Sequence, residues 1–449
     1  MATDCNSGTM TFTPLGRREL VAQFDGGLIT SDAGALLLRE VARRFKVFER
    51  MAACIPDPRE PSMIEHDQQT MLAQRVLGIA CGWEDLNDHH GLRVDPLMQA
   101  ASERDVDEAR PLASPATLCR LENRVDRDAC VELSKLLVEL FVESFDSPPQ
   151  ELVLDFDATD DPIHGSQEGR FFHGYYDSYC YLPLYVFCGE KLLVSYLRPS
   201  NIDASKHSRA ILQLLVTRLR QAWPGVKIIF RGDSGFCRWK LMRWCDRHDV
   251  GYIIGLARNK VLERMAEPFM LQAKQQHEQS GQKQRVFTEF DYAAGTWNCS
   301  RRVIHKAEHN SQGDNPRFVV TNLTGEPQAL YERTYCARGE MENRVKEQQL
   351  GLFAGRTSCH HFIANQFRLL LSSFAYVLIE TLRRVALART ELARAQATSI
   401  RTKLLKIGAV VVVSVRRIVL RLSSAYPLKE LFIDLARRLM QPAPRPLIE

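Results

Sequence analysis

Four aspartates gather in residues 152–165, whose sequence is LVLDFDATDDPIHG. The apolar run that opens this segment predicts a buried strand, and the aspartates follow where the strand would end. Because side chains alternate along a strand, Asp155 and Asp157 share one face of the sheet. Two like charges so close are costly unless a cation or a bound proton compensates them. The pattern therefore favours a divalent-metal site or a nucleophile over acids that only cap a turn.

A further acid, Asp233, follows a second apolar run. Residues 226–230 predict a buried strand that stops at the sequence RGDSG. The hairpin, helix and strand patterns around the two acidic segments predict an α/β layer. Asp157 and Asp233 would then lie at the carboxyl ends of two strands, where open α/β sheets place their ligands. Capping of the turn by Asp233 stays an alternative, because Asp before Ser-Gly is also common turn chemistry.

Charged residues recur at helical spacing further along the chain. Tyr335, Arg338, Glu342 and Lys346 stand at i, i+3, i+7 and i+11, which predicts one shared helical face. Such a face is either solvated and stabilised by charge pairs or functional. The helix taken alone favours the solvated face.

The composition of the chain is that of an ordinary soluble protein of two or three domains. Its 449 residues are 45% hydrophobic and carry a net charge of +5, which permits a nucleic-acid partner without requiring one. Its twelve cysteines include no C-x-x-C pair, so free thiols in a reducing cytosol are expected. Neither a secretory signal pattern nor a membrane-spanning run is apparent, and a cytoplasmic location is expected.

Changes in pattern along the chain predict five regions. They are a mainly helical region over 1–148 that is a candidate for DNA binding, the first part of an α/β core over 149–258, a β-rich insertion over 259–334, the closing helices of the core over 335–390, and a basic C-terminal region over 391–449.

Two basic segments could contact DNA phosphates. Arg120 and Arg124 would lie on the outer face of a short helix, which suits either DNA binding or simple solvation. Beyond residue 382 the chain is rich in Lys and Arg with few acids between them. This density favours phosphate contact, for which Arg394, Arg401 and Lys403 are the candidates.

The motifs LDFDATDDPIHG, FRGDSGF and YCARGEMENRVKE, with the β-rich insertion between the last two, resemble those of group 1 DDE transposases of bacterial insertion sequences. The segments ITSDAGALLLREVARR, GWEDLNDHHGLRVDPL, LASPATLCRLENRV and CHHFIANQFRLLLSSFAYVL are also similar, so the resemblance covers nearly the whole chain. It implies an α/β fold with a ribonuclease H-like mixed-sheet catalytic core and mainly helical N-terminal and C-terminal regions.

The resemblance also implies a metal site and a reaction. Asp157, Asp233 and Glu342 would bind two Mg²⁺ ions, with Asp157 bridging them and Mn²⁺ as a substitute. Carboxylates suit this hard cation. Two metal ions about 3.5–4 Å apart activate the attacking oxygen and stabilise the leaving oxygen. The implied reaction is DNA cleavage at the ends of the element, followed by attack of the freed 3′-hydroxyl on target DNA.

The implied partners are double-stranded DNA, as transposon ends and as target, and a second copy of the chain in a homodimer on DNA. The implied location is the bacterial cytoplasm, at the nucleoid when DNA is bound, with no membrane association.

Further positions follow from the same resemblance. Tyr335, Arg338 and Glu342 match the Y-x2-R-x3-E signature of related transposases, in which the first two would contact DNA phosphate. Relatives often carry a lysine where this chain has Gln349, so Lys346, one turn from Glu342, is predicted to take its role. Three residues are predicted to support the acids through hydrogen bonds: Asp155, Thr159 and His164.

Two other functions stay open. Asp155 and Asp157 also match the D-x-D-x-T motif of haloacid-dehalogenase-type phosphatases, in which they would be nucleophile and acid/base. Those enzymes also have a later aspartate, which Asp233 would match here, and they need an acid four residues after it. This chain has Cys237 at that place. A transposase-derived DNA-binding protein without activity is the other alternative, and the intact set of acids argues against it.

Overall fold

The computed structural model describes residues 9–107 and 109–441. Its contacts divide the chain into two units. Among the described residues, one unit contains 9–121 together with 378–441, and the other contains 122–377. The five regions proposed from the sequence follow other borders and stay predictions.

The N-terminal part of the chain is mainly helical but begins with three short strands, which the sequence analysis did not predict. Its elements are β1 (Met10–Leu15), β2 (Arg18–Ala22), β3 (Leu28–Thr30), α1 (Ala35–Arg44), α2 (Val47–Ala53), α3 (Gln68–Cys81), α4 (His89–Leu92), α5 (Pro96–Ala101), α6 (Pro115–Arg124) and α7 (Arg127–Val142), with 3₁₀ turns at Pro61–Met63 and Leu86–Asp88.

Capping residues fix the ends of these helices. Asp67 accepts a hydrogen bond from the Thr70 amide at 2.8 Å at the start of α3, and Gly82 ends that helix with φ of 97°. Asp126 caps α7 in the same way through the Ala129 amide at 2.9 Å. These are the start and stop signals expected of helices in water.

Strands dominate the next part of the chain. The elements are β4 (Glu151–Ala158), β5 (Asp161–Pro162), β6 (Phe171–His173), β7 (Ser178–Tyr181), β8 (Leu184–Cys188), β9 (Lys191–Tyr196), α8 (Ser208–Ala222), β10 (Lys227–Gly232), a 3₁₀ turn Ser234–Phe236, α9 (Trp239–Arg247) and β11 (Gly251–Leu256).

The remaining elements complete both units. They are α10 (Lys260–Ser280), β12 (Gln284–Tyr292), β13 (Arg301–Asn310), β14 (Gly313–Asp314), β15 (Arg317–Thr321), α11 (Pro327–Ala329), a π-helical turn Leu330–Tyr335, a 3₁₀ turn Cys336–Arg338, α12 (Gly339–Lys346), a π-helical turn Glu347–Gly351, α13 (Phe362–Leu382), a π-helical turn Arg383–Leu387, α14 (Ala397–Ile400), a π-helical turn Arg401–Leu405, β16 (Ala409–Ser414), β17 (Arg417–Leu422) and α15 (Lys429–Met440).

A nine-stranded mixed sheet forms the centre of the unit built from residues 122–377. Its order is β12-β13-β15-β11-β10-β4-β8-β9, with β14 beside β13. Strands β4, β10 and β11 run parallel, whereas β8 is antiparallel to both β4 and β9. The order β9-β8-β4-β10-β11 with only β8 reversed is the ribonuclease H-like arrangement, and the predicted fold class is confirmed.

The two faces of β4 have different surroundings. Leu152, Leu154 and Phe156 belong to the large hydrophobic core that also contains side chains of α7, α8 and α9. Val153 packs on the opposite face of the sheet, with a smaller cluster. Asp155 and Asp157 alternate with the buried apolar residues, so the sequence pattern correctly placed both acids on one face.

The insertion contains a long helix that the sequence analysis missed. The polar composition of residues 272–285 did not indicate structure, yet α10 runs through most of them. Asn259 caps its start, and Leu262, Ala266 and Ala273 supply its buried positions. Strands β12, β13 and β15 follow and extend the central sheet, since β15 pairs antiparallel with β11.

The stretch Phe362–Leu387 is long and apolar enough to cross a membrane by length and composition alone, but 83% of its most apolar window is buried inside the protein. Burial of this kind is typical of the core helix of a soluble protein. Within the unit of residues 122–377, Ser373 contacts Ser195 of β9, and the Gln366 side chain accepts from the Leu197 amide at 2.7 Å.

All eleven cysteines in the described part of the chain are free thiols.

In the other unit, the start of α1 approaches the chain near Leu404. The Gly34 amide donates to the Leu405 carbonyl at 3.1 Å, and the Ala33 amide donates to the Ile407 carbonyl at 3.0 Å. A Cβ atom at Gly34 would lie 1.7 Å from the Leu404 carbonyl oxygen. Only glycine allows these two backbones to come so close.

Gly34→Ala should therefore lower the free energy of unfolding by about 1–3 kcal/mol or more, because the added methyl group separates two hydrogen-bonded segments. Urea unfolding followed by circular dichroism measures this change. Gly91→Ala is the matched control, since an added Cβ there meets no described atom within 4 Å. Equal stability of the two variants would contradict the packing described for Gly34.

Candidate active site

Two acids stand at neighbouring strand ends of the central sheet. Asp157 lies near the end of β4 and is partly buried, and Asp233 directly follows β10. The Asp233 carboxylate accepts from the Gly235 amide at 2.8 Å, so the turn-capping alternative is part of the structure. Because β4 and β10 are adjacent and parallel, both acids lie at the same edge of the sheet.

A buried ion pair connects the same two strands. Asp155 and Arg231 are direct neighbours in the parallel register. The guanidinium Nη2 of Arg231 donates to Asp155 Oδ2 at 2.7 Å, and its Nε donates to Oδ1. Nη1 donates to the Thr334 carbonyl, next to Tyr335 in the chain. Sequence reasoning missed this role of Arg231, because strand register is not visible in the sequence.

Burial raises the pKa of Asp155 above its usual value, and the Arg231 guanidinium opposes that rise. The Asp155 side chain is only 1% exposed. A charge-assisted pair with two parallel hydrogen bonds is the arrangement that makes such burial tolerable. Asp155 thus connects β4 to β10 through Arg231, and its supporting role for the acids stays a prediction.

The chain around Tyr335 is an irregular helix. Tyr335 ends the π-helical turn Leu330–Tyr335, Arg338 ends a 3₁₀ turn, and Glu342 lies in the first turn of α12. The simple helical face expected from the spacing is therefore wrong in detail. The change of helical pitch nevertheless places Arg338 and Glu342 near Asp157.

Arg338 joins the third acid to the first. Its Nη2 lies 2.9 Å from Glu342 Oε1, and its Nη1 lies 3.7 Å from Asp157 Oδ1. The Asp233 carboxylate is close enough to affect the ionisation of both Asp157 and Arg338, since its negative charge raises the pKa of each. Four charged groups from three separate chain segments therefore converge.

Burial, together with the negative charges of Asp233 and Glu342, raises the pKa of Asp157 to about 6, although the Arg338 guanidinium lowers it. Desolvation together with like charges is the physical signature of carboxylates gathered to hold a cation. This perturbation separates Asp157 from an ordinary surface acid.

Tyr335 reaches the site because β11 leaves room for it. A Cβ atom at Gly255 would lie 2.6 Å from the Tyr335 hydroxyl oxygen and 3.0 Å from the Ser234 amide nitrogen. Glycine at this position therefore lets the phenol lie against the turn that carries Asp233. Burial raises the pKa of Tyr335 above its usual value, so its hydroxyl stays protonated at neutral pH.

A cavity of about 370 Å³ opens beside Asp233. Tyr335 and Arg338 line it, and Arg258 and Arg317 add two guanidinium groups. Arg258 follows β11 and Arg317 begins β15, and the antiparallel pairing of these strands brings the two residues together. Sequence reasoning missed both, because only the pairing of the strands makes them neighbours.

The remaining predicted neighbours of the acids have varied positions. Thr159 follows β4, and its amide donates to the Pro183 carbonyl at 3.4 Å. His164 is exposed, and no hydrogen bond joins it to the acids among the residues that the structure describes. Lys346 is exposed on α12. Gln349, at the place of the relatives' lysine, donates to the Asp160 carbonyl at 3.0 Å.

The two basic helical residues near residue 120 differ in exposure. Arg120 is exposed, and its Nη2 donates to Thr117 Oγ1 at 3.0 Å. Arg124 is partly buried. An exposed guanidinium such as that of Arg120 fits phosphate contact or solvation equally well.

The basic C-terminal segment is only partly available to a ligand. Arg394 and Lys403 are exposed, as a phosphate contact requires. Arg401 instead donates to the Ala80 carbonyl at 2.9 Å and the Ile79 carbonyl at 3.2 Å. This contact caps the C-terminal end of α3, and it corrects the assignment of Arg401 to phosphate binding.

Two more cations of this segment have structural surroundings. Arg383 is buried, and Lys406 lies 2.7 Å from the buried carboxylate of Asp32. The density of positive charge in the sequence therefore overstated the number of cations at the surface.

Glu168, His360 and His361 form an exposed group whose ligand atoms lie within 4.8 Å of one another. The sequence analysis did not single out this trio. In the described part of the chain no other three His, Cys, Asp or Glu residues come so close, so the oxygens of Asp157, Asp233 and Glu342 are spread more widely.

The comparisons with known proteins point to one family. A family model described as "Transposase DDE domain group 1" matches residues 12–444. No curated protein matches the chain. Among solved structures, the chain is similar to one described as "Cryo-EM structure of piggyBac transposase synaptic complex with hairpin DNA (SNHP)". That likeness has 12% sequence identity and a TM-score of 0.42, and covers 93% of this chain and 83% of that one.

The buried pair of Asp155 and Arg231 generates a stability prediction. Arg231→Met leaves a buried carboxylate without its cation and should lower the free energy of unfolding by about 3–5 kcal/mol. The double variant Arg231→Met/Asp155→Leu removes both charges and should recover most of that decrease. Urea unfolding of wild type, both single variants and the double variant measures the coupling.

A partly exposed pair provides the control for this cycle. Arg218 binds Glu139 with two hydrogen bonds, but both side chains are about one-third exposed. Arg218→Met should therefore cost no more than about 1 kcal/mol. Additive effects in the Asp155 cycle would show that the buried pair does not hold the two strands together.

Proposed function

Because the chain belongs to the group 1 DDE transposase family, we propose that it cleaves DNA at the ends of an insertion sequence and joins the freed ends to target DNA. The observation that carries this proposal is the convergence of Asp157, Asp233 and Glu342 around Arg338. These acids come from two strand ends and a helix far apart in the sequence. A solvated surface gives no reason for such convergence.

Membership of this family implies dependence on a divalent metal. We propose two Mg²⁺ ions, for which Mn²⁺ can substitute, held by Asp157, Asp233 and Glu342. An all-carboxylate set suits hard cations, and a bound cation would compensate the burial and the like charges of Asp233 and Glu342 that raise the pKa of Asp157. When bound, the ions supply Lewis-acid activation of the attacking oxygen and charge stabilisation for the leaving oxygen.

The residues of the chain position the DNA. The guanidinium groups of Arg258 and Arg317 line the cavity beside Asp233 and can bind phosphate oxygens. The Tyr335 hydroxyl, protonated at neutral pH, can donate to a phosphate from the same cavity. Arg338 keeps Glu342 close to Asp157, so the helix brings its acid to the site in a fixed orientation.

Two displacements at phosphorus complete the proposed reaction. In the first, water attacks the scissile phosphodiester at the transposon end, the P–O3′ bond breaks, and a 3′-hydroxyl and a 5′-phosphate result. In the second, that hydroxyl attacks a phosphodiester of target DNA, whose own P–O3′ bond breaks. One set of acids can serve both steps, because both displace an oxygen at phosphorus.

Double-stranded DNA is the proposed partner, both as transposon ends and as target. Joining two ends to one target requires two active sites, so we propose a homodimer on DNA. We further propose that it acts at the nucleoid in the bacterial cytoplasm and does not associate with a membrane.

The phosphatase alternative conflicts with the surroundings of Asp155. Its two carboxylate oxygens are both engaged by Arg231, and the side chain is 1% exposed. A nucleophilic aspartate needs a carboxylate oxygen that its substrate can reach, and the buried Asp155 carboxylate offers none. Asp157 is the acid that faces Arg338 and Glu342.

Substitution of the two neighbouring aspartates separates the enzyme classes. Asp157→Asn should abolish Mg²⁺-dependent cleavage of DNA ends while keeping end binding and thermal stability, because only the charge of a metal ligand is removed. Asp155→Asn should reduce cleavage about 10–100-fold through misplaced strands and should also lower stability. Asp160→Asn, in the same turn, is the control and should retain cleavage.

The assignment fails if Asp157→Asn cleaves normally while Asp155→Asn is inactive and the wild type forms a phospho-enzyme. Binding of DNA ends by a wild type that shows no cleavage with either Mg²⁺ or Mn²⁺ would support the catalytically silent alternative.

The exposed cations of the C-terminal region generate a salt prediction. Arg394→Ala/Lys403→Ala should weaken binding to every DNA sequence and reduce the slope of log K against log [NaCl] by about one unit for each phosphate-binding cation removed. Arg401→Ala is the control and should lower stability with little change in slope. An unchanged slope for the double variant would remove this segment from the DNA interface.

A further inference from the structure

Residues 170–181 form an aromatic hairpin that the proposed chemistry leaves unexplained. Strands β6 and β7 pair antiparallel within it. The exposed fractions are 41% for Phe171, 53% for Phe172, 85% for Tyr175 and 50% for Tyr179. Phe172 and Tyr179 share one face of the hairpin, whereas Phe171 points to the other face. Single exposed apolar residues are common, but this concentration of large aromatic side chains on one short hairpin marks a binding surface.

The rings of the hairpin are held in a defined arrangement. Phe172 and Tyr179 are cross-strand neighbours, and their ring centroids lie 5.6 Å apart in an edge-to-face contact. The guanidinium carbon of Arg170 lies 5.0 Å from the centroid of the Tyr179 ring. The ring of Tyr175 contacts that of Tyr176 at 5.0 Å. The aromatic surface is thus preformed and includes a cation.

The hairpin is attached to the strand that carries Asp157. Strand β5 joins it to the end of β4, with Asp161 paired to Tyr181. The Tyr176 hydroxyl lies 3.5 Å from the carbonyl oxygen of Ala158, the residue after Asp157. Burial and the nearby negative charges, including that of Asp157, raise the pKa of Tyr176 to about 12. The turn of the hairpin therefore lies beside the acids.

The chemistry of this location limits what can bind there. The flat face of a nucleobase is uncharged and stacks on aromatic rings such as those of Phe172 and Tyr179. Arginine beside an aromatic ring adds a second planar group on which a base can stack. Stacking of this kind contributes about 1–3 kcal/mol per base and offsets the cost of unstacking a base from the duplex.

We propose that the aromatic hairpin binds one or more bases that have left the duplex stack of the DNA end, next to the scissile phosphodiester. This inference rests on the proposed function and adds a binding site outside the acids and the Tyr335 helix. Its role is to hold the distorted DNA so that the phosphodiester can approach Asp157. The occupant is single-stranded or extruded DNA and not a protein.

Photo-crosslinking tests the contact directly and without cleavage. Wild-type protein is bound to end DNA in EDTA, with 5-iododeoxyuridine placed in turn at each position within a few nucleotides of the cleavage site. Irradiation and mass spectrometry should locate crosslinks at Phe172, Tyr175 or Tyr179 for at least one position. Efficient crosslinks only to other segments, with the DNA end bound, would overturn the proposal.

Binding measurements on variants provide the second test. Phe172→Ala/Tyr179→Ala should weaken binding to end DNA about tenfold or more, which corresponds to the removal of one stacked base. Tyr179→Phe keeps the ring and should bind like the wild type. Leu214→Ala removes an even more exposed apolar side chain, on α8, and should also bind like the wild type.

The outcomes separate this proposal from the proposed function. A wild type that neither binds nor cleaves end DNA contradicts the transposase function itself. A wild type that cleaves DNA, with unchanged binding by the Ala variants and no hairpin crosslink, contradicts only the stacking site. Altered mass in light scattering for the Ala variants, with DNA binding unchanged, would identify the hairpin as a protein contact and overturn the proposal.

Discussion

The guanidinium of Arg231 connects the three chain segments that build the site. It neutralises Asp155 across the parallel pairing of β4 and β10, and it donates to the Thr334 carbonyl next to Tyr335. Because a buried charge without its partner is costly, the register of the two strands is strongly defined. That register places Asp157 and Asp233 two residues further on, at one edge of the sheet. The same residue attaches the Tyr335 segment to β10 through the Thr334 carbonyl.

Much of this site could be predicted from the sequence. Alternation in β4 placed Asp155 and Asp157 on one face, and the apolar run before Asp233 placed it at a strand end. Those predictions depend on local periodicity, which the sequence contains directly. The roles of Arg231 and Arg258 depend on which strands become neighbours, and local pattern does not encode that pairing.

Other misses have equally physical causes. The helix α10 was missed in the sequence because most of its surface is polar. Only a few apolar residues supply its narrow buried side. The spacing after Tyr335 implied one regular helix, but a change of pitch at Cys336–Arg338 intervenes. Charge density suggested phosphate contacts for Arg401, whose guanidinium instead satisfies carbonyl groups at the end of α3. Composition cannot distinguish a cation that faces solvent from one that caps a helix.

The central claim is that Asp157, Asp233 and Glu342 hold the metal ions that cleave DNA. Anomalous diffraction from crystals of the protein bound to end DNA and soaked in Mn²⁺ tests it most directly. The account predicts two Mn²⁺ peaks about 3.5–4 Å apart, with these three carboxylates as ligands and Asp155 still paired to Arg231. Mn²⁺ bound by Asp155, or Mn²⁺ found only at Glu168, His360 and His361, would contradict it.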